Sequence, residues 1–126
     1  MREILFRGKG AIDGKWYESM TVSRGTVNRK KDKLFLEIGE NKWKGIIPET
    51  LGQFTGLLDK NGKKIFEGDI LSNGVSNYYV CWHNTLGSWW LKNKYNNYTQ
   101  MLTVVAVELE VIVNIYDSPN LLEEAK

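Results

Sequence analysis

Three groups of residues in this chain have types and spacings that chemistry uses. Cys81 and His83 lie two apart, so they share a face if their segment is a strand. A thiolate beside an imidazole is the start of a nucleophilic site, with Asn84 or a distant acid to orient the ring. Neighbours along one strand face diverge, however, beyond the reach that a nucleophile and its base require. A free cysteine also packs well as a small apolar residue. The second group is Asp59, Glu67 and Asp69, the carboxylates that two-metal sites gather. Asp59 opens a turn and Asp69 follows a glycine into a strand, which are ordinary structural uses. The third is Arg7-Gly8-Lys9-Gly10, glycine-rich and basic, but no helical pattern follows to aim backbone N–H groups at a phosphate. It reads as a loop at a strand end. One Cys and one His build neither a disulfide nor a structural zinc site. The expectation is no catalytic residue, no metal and no cofactor.

Two further sets suit recognition better than catalysis. Arg24, Arg29, Lys30, Lys31 and Lys33 crowd five positive charges against Asp32 alone, a loop able to follow phosphates. Tyr78, Tyr79, Trp82, Trp89, Trp90, Tyr95 and Tyr98 bring seven rings close together, as stacking platforms for unpaired bases do. Strand alternation sends Tyr79 and Cys81 to one face and Tyr78, Val80 and Trp82 to the other, so part of this set is core.

The elements that must position these residues are short. Twelve Gly and only two Pro punctuate the chain, and hairpin-type pairs stand at Asp13-Gly14, Asn61-Gly62 and Asn73-Gly74. A first strand is expected at residues 4–6. A second runs through Trp16, Tyr17, Met20 and Val22, and a polar stretch at residues 24–33 follows. Strands at 34–38 and 43–47 flank the turn Asn41-Lys42, and Pro48 ends the second of them. Further strands are expected at 70–71, 78–82 and 89–91. The last strands lie in 101–116, where Leu109, Val111, Val113 and Ile115 alternate with Glu108, Glu110, Ile112 and Asn114. A single helix start, Ser118-Pro119, leads a short helix through residues 118–124. The pattern is all-β, with proline and glycines at residues 48–58 marking a boundary between two small lobes.

The whole chain has 126 residues and 14.5 kDa, 42% hydrophobic and 25% charged, with a net charge of +2. So small a charge excludes a binder that works by bulk electrostatics. The first nine residues carry four charges, so no signal peptide is expected, and no uncharged run is long enough for a membrane span. A single thiol without an export signal points to the cytoplasm.

The central stretch Pro48-Glu49-Thr50-Leu51-Gly52-Gln53-Phe54-Thr55-Gly56-Leu57, followed by Asp59-Lys60-Asn61-Gly62-Lys63-Lys64-Ile65-Phe66-Glu67-Gly68-Asp69-Ile70, resembles the central motif of the YopX family of phage and prophage proteins. The opening Arg2-Glu3-Ile4-Leu5-Phe6-Arg7-Gly8-Lys9 is similar to the family's usual start. The close, from Glu110-Val111-Ile112-Val113-Asn114 to Ser118-Pro119-Asn120-Leu121-Leu122, resembles its C-terminal signature. Val113 stands where the family commonly has glycine, and valine suits a strand better. The shared glycines Gly52, Gly56, Gly62 and Gly68 read as backbone devices. The resemblance implies an N-terminal lobe used in self-association, here residues 1–50, and a C-terminal lobe similar to an SH3-like barrel, here 51–126. It carries over no catalytic residue and no established biochemical role.

With that resemblance, self-association ranks first, because a small two-lobed chain buries little in each lobe. The function expected is that of a non-enzymatic, homo-oligomeric accessory protein in the bacterial host cytoplasm, with no membrane partner. Trp16, Trp43 and Ile46 are the candidate interface residues. The alternative is nucleic-acid binding through Arg29, Lys30, Lys31 and Lys33, with the aromatics of residues 78–98.

Overall fold

The computed structural model describes residues 3–27 and 30–123. They form twelve strands, two short α-helices and two 3-10 turns, divided between two compact units, Met1–Phe54 and Thr55–Lys126. The fold is mostly β and antiparallel. No helix among the described residues is long and apolar enough to cross a membrane.

In the first unit β1 (Phe6–Lys9) and β2 (Trp16–Ser19) make a hairpin, with Phe6 opposite Ser19 and Lys9 opposite Trp16. Its turn takes positive φ at Gly14, and the Asp13 carboxylate accepts the Lys15 N–H at 3.0 Å. The strand expected to run from Trp16 to Val22 is broken in two. Ser19 Oγ accepts the Thr21 N–H at 2.9 Å and donates back to the Thr21 carbonyl, folding the chain into a bend before β3 (Val22–Val27). The polar stretch beyond it is likewise more ordered than its composition suggests. Arg24 pairs with Leu34 and Gly25 with Lys33, so β3 and β4 (Lys30–Gly39) form a hairpin that carries Arg24, Lys30, Lys31 and Lys33 on its strands. β5 (Lys42–Ile46) follows the Asn41 turn and pairs Ile46 with Leu34. The hairpin of β1 is stitched to β5 by Ala11 N–H to the Gly45 carbonyl, 3.0 Å, and Ile47 N–H to the Lys9 carbonyl, 2.8 Å. A 3-10 turn at Pro48–Thr50 ends this run, as proline at its start favours. Among the described side chains, the buried apolar residues of the unit are Leu5, Leu36, Ile46 and Phe54.

β6 (Gly52–Leu58) spans the boundary in sequence. Its Gly52 and Gln53 pair with Arg7 and Phe6, and its later residues neighbour β7 (Lys64–Phe66). In the second unit β8 (Asp69–Ser72), β9 (Asn77–His83), β10 (Ser88–Lys92) and β11 (Tyr98–Met101) form a meander, and β12 (Glu110–Asn114) returns beside β8. The order β11-β10-β9-β8-β12 has two ends, so the described strands make an open sheet and not a closed barrel.

Of the strands expected in residues 101–116, β11 reaches only Met101 and β12 begins at Glu110. Between them lie α1 (Leu102–Val105) and a 3-10 turn at Ala106–Glu108. Thr103, Val104, Val105 and Val107 favour strand by propensity, but Leu102, Ala106 and Leu109 recur at helical spacing and all three are buried. Packing decides against propensity. Those residues join Ile65, Leu71, Val80, Trp89, Leu91 and Val111 in one apolar core. The last element of the described residues is α2 (Asn120–Glu123), held by Asn77 Nδ2, which donates to the Leu121 carbonyl at 2.7 Å.

Gly68 shows how tightly one turn is drawn. Its φ is +88°, and a Cβ there would lie 2.9 Å from the Tyr116 ring. Only glycine meets both conditions at no cost.

Candidate functional site

The β8–β11 meander sorts its aromatic residues by register. Leu71 lies opposite Tyr78, Val80 opposite Leu91 and Trp82 opposite Trp89; on this face Leu71, Val80, Leu91 and Trp89 join the core with Tyr78 packed against it, while Trp82 stays 39% exposed. Trp82 and Trp89 meet edge to face with centroids 4.9 Å apart. The other face brings Tyr79 opposite Lys92, Cys81 opposite Trp90 and His83 opposite Ser88, and a shift in register sets Tyr98 opposite Lys92. On that second face His83 and Tyr98 are nearly stacked, 4.3 Å apart at 33°. Trp90 stands beside both, 5.6 Å from His83 and 6.0 Å from Tyr98. The Lys92 ammonium lies 4.5 Å from the Tyr98 ring centroid, and the Tyr79 hydroxyl bonds to Asn96 Oδ1. The seven-ring set of the sequence is thus divided between two faces.

The predicted chemical groups are placed as follows. Cys81 and His83 share the outward face, but each is engaged elsewhere. The thiol donates to the Trp90 carbonyl at 3.6 Å, and His83 Nδ1 accepts the Leu86 N–H at 3.1 Å. Burial pushes the Cys81 thiol up, partly opposed by Lys92 and reinforced by Glu67, which keeps it a neutral thiol rather than a nucleophile. Asp59 is 5% exposed and accepts three backbone N–H groups, from Asn61 at 2.8 Å, Lys63 at 2.9 Å and Val111 at 2.9 Å. Burial alone would raise its pKa, but those donors outweigh it and hold the carboxyl below its ordinary value. Asp69, 1% exposed, accepts the Phe66 N–H at 2.8 Å across the Gly68 turn. Both carboxylates tie turns together. Among the described residues no three His, Cys, Asp or Glu side chains converge as a metal site.

Arg7 to Lys9 lie within β1 and not in a loop after it, because Gly8 and Lys9 continue the pairing with Tyr17 and Trp16. The Arg7 guanidinium covers the Trp16 ring at 4.9 Å. Of the candidate interface residues, Trp16 is half-buried and Trp43 is 45% exposed on β5. Ile46 is 3% exposed in the unit's own interior, where it leaves no surface for a second copy. Of the basic set, Arg24 and Lys33 are exposed on β3 and β4, and Lys30 and Lys31 belong to β4. Arg29 lies outside the described residues.

A small polar cluster that joins the β1–β2 hairpin to β5 is not legible in the sequence. The Tyr17 hydroxyl donates to Asp13 Oδ2, and Lys44 Nζ lies 3.4 Å from the same oxygen. The Tyr17 hydroxyl, the Lys15 N–H and the Lys44 charge together hold Asp13 at a pKa of about 2. Asp13-Gly14 is legible only as a turn, and its partner Lys44 is far away in sequence.

Residues 5–123 match the family model described as YopX protein. No curated protein matches the chain. Among solved structures it is similar to the crystal structure of protein EF1440 from Enterococcus faecalis, with 22% sequence identity and a TM-score of 0.60. The match covers 97% of this chain and 99% of that one, a likeness of fold.

Proposed function

This chain belongs to the YopX family, and from that premise we propose that it is a non-enzymatic phage- or prophage-type accessory protein that assembles with copies of itself through its N-terminal unit. Its place of work on this reading is the cytoplasm of the bacterial host. The observation that carries the reading is the thin interior of that unit. Among the described side chains, four apolar ones are buried there, Leu5, Leu36, Ile46 and Phe54, while Ile4, Ile12, Met20, Ile38 and Trp43 are exposed. A unit of this size is marginal by itself, and covering outward apolar side chains with a second copy offsets the deficit. Trp43 is the surface anchor, with Trp16 beside Arg7 as a second candidate. The C-terminal unit is read as SH3-like, on the strength of its four-strand meander, the 3-10 turn and the return of β12 beside β8. The engagement of Asp59, Asp69, Cys81 and His83 with backbone groups supports the non-enzymatic part.

Sedimentation equilibrium at micromolar concentration tests the assembly. The expected mass lies well above 14.5 kDa and persists in high salt, because apolar burial is not screened. Trp43→Glu should return the protein to a monomer that keeps its β-sheet circular dichroism. A monomer from the unaltered chain would sink the reading.

A further inference from the structure

The outward face of the β3–β4–β5 sheet carries opposite charges on either side of an aromatic centre. Register places Ser23, Phe35 and Gly45 in one row across the three strands. Gly25 and Lys33 lie opposite each other on one side of that row, and Glu37 and Trp43 on the other. Alternation puts all of them on the face away from buried Leu36 and Ile46, and no shift in register falls between Lys33 and Glu37. The Phe35 ring spreads over the middle of this face. A Cβ on Gly25 would lie 3.3 Å from its Cε2 edge, and one on Gly45 3.6 Å from its Cε1 edge. Glycine inside a strand weakens it, and recurs where a second surface comes close. Trp43, 45% exposed, adds another ring. Among the described residues neither the Lys33 nor the Glu37 side chain has an ion pair or a hydrogen bond.

We infer that two copies of the chain meet on this face, sheet against sheet, about a twofold axis that crosses the strands over Phe35. The inference rests on the self-association proposed above and names its contact. The order of charges selects a second copy as the occupant. Such an axis runs the two β4 strands antiparallel, so Phe35 faces its own counterpart and Lys33 of each copy meets Glu37 of the other. Same-face neighbours are about 7 Å apart along a strand, and these two long side chains can span the crossing of about 30° between aligned sheets. A partner of one charge sign would satisfy one end of the row and strand the charge at the other. A duplicate of the same surface satisfies both. Burial of Phe35 and Trp43 supplies the affinity and the charge pairs fix the direction, so the natural contact resists salt. An isologous contact uses up the patch, and assembly through it stops at two copies.

Sedimentation equilibrium of the full chain and of two charge variants, alone and mixed, tests the contact. Lys33→Glu leaves two acids on the row and Glu37→Lys leaves two cations. Each variant then meets like charge in its own copies, and its dimer should dissociate about a hundredfold more readily than the natural one. Mixed in equal amounts, the two should assemble as tightly as the natural chain, because the acids of one now meet the cations of the other. The double substitution Lys33→Glu with Glu37→Lys should likewise assemble with itself. Recovery on mixing needs both variants folded, so a loss of fold cannot imitate this result. At about 1 M salt the repulsion is screened, and each single variant should regain its dimer. A natural chain that is monomeric at micromolar concentration leaves the face to a different partner and overturns both this contact and the assembly itself. Single variants that dimerise like the natural chain, or that stay apart on mixing, leave assembly standing and overturn this face as its site.

Discussion

At the scale of single residues, a buried carboxylate survives only where donors surround it, and Asp59 shows what such a group contributes. Its three backbone partners include Val111, 52 positions away, so one side chain fastens the turn after β6 to β12. Asp59→Asn puts an NH2 group where an oxygen accepted, leaving a buried N–H opposed, and should lower the stability of the second unit by about 2–3 kcal/mol. The pH dependence follows from the same geometry. The folded pKa lies below the ordinary 3.8, so the stabilisation is complete above that value and is lost as pH falls through the folded pKa. Acid titration of the unfolding free energy should show this loss in the natural chain and much less of it in Asp59→Asn. An equal loss in both would assign the acid sensitivity to other carboxylates. Asp59 was legible in the sequence as a turn opener, because Asn61 and Lys63 are close by. Its bond to Val111 was not, since nothing local announces a partner so distant.

At the scale of elements, local turn chemistry was readable and long-range packing was not. Gly14, Gly62 and Gly74 all adopt positive φ at the turns their Asp-Gly and Asn-Gly pairs announced, and Ser118-Pro119 does precede a short helix. The hairpin of β3 and β4 was hidden by its polarity, because charged residues on an exposed strand resemble a loop in composition. The α1 helix was hidden by its β-branched residues. A strand through residues 102–106 would bury Leu102, Val104 and Ala106 together, whereas the helix exposes Val104 and Val107. The two arrangements separate cleanly by substitution. Leu102→Ala should cost about 2–5 kcal/mol. Val104→Glu and Val107→Glu should each stay within about 0.5 kcal/mol, which chemical denaturation measures directly. A large loss from Val104→Glu would speak for a strand.

At the scale of the molecule, the two units differ in how much they bury, and their unfolding should differ in kind. The second unit holds a contiguous apolar core, whereas the first, among the described side chains, draws on four buried apolar residues. If copies assemble through the first unit, its melting temperature should rise with protein concentration, while that of the second should not. Calorimetry over a hundredfold dilution series reads this, and two transitions that both ignore concentration would count against assembly. β6 gives the division a further meaning. Phe54 is buried in the first unit and Thr55 opens the second, where its hydroxyl donates to the Ile65 carbonyl at 2.8 Å. A strand ladder is made of backbone groups, which are the same whatever the side chains. A recombination junction between codons 54 and 55 therefore leaves each parent's side chains with their own unit and asks the joint only to continue as a strand. Strand β6 is in that sense a splice point, at which one unit can be inherited from one ancestor and the other from a second without redesign of either interior.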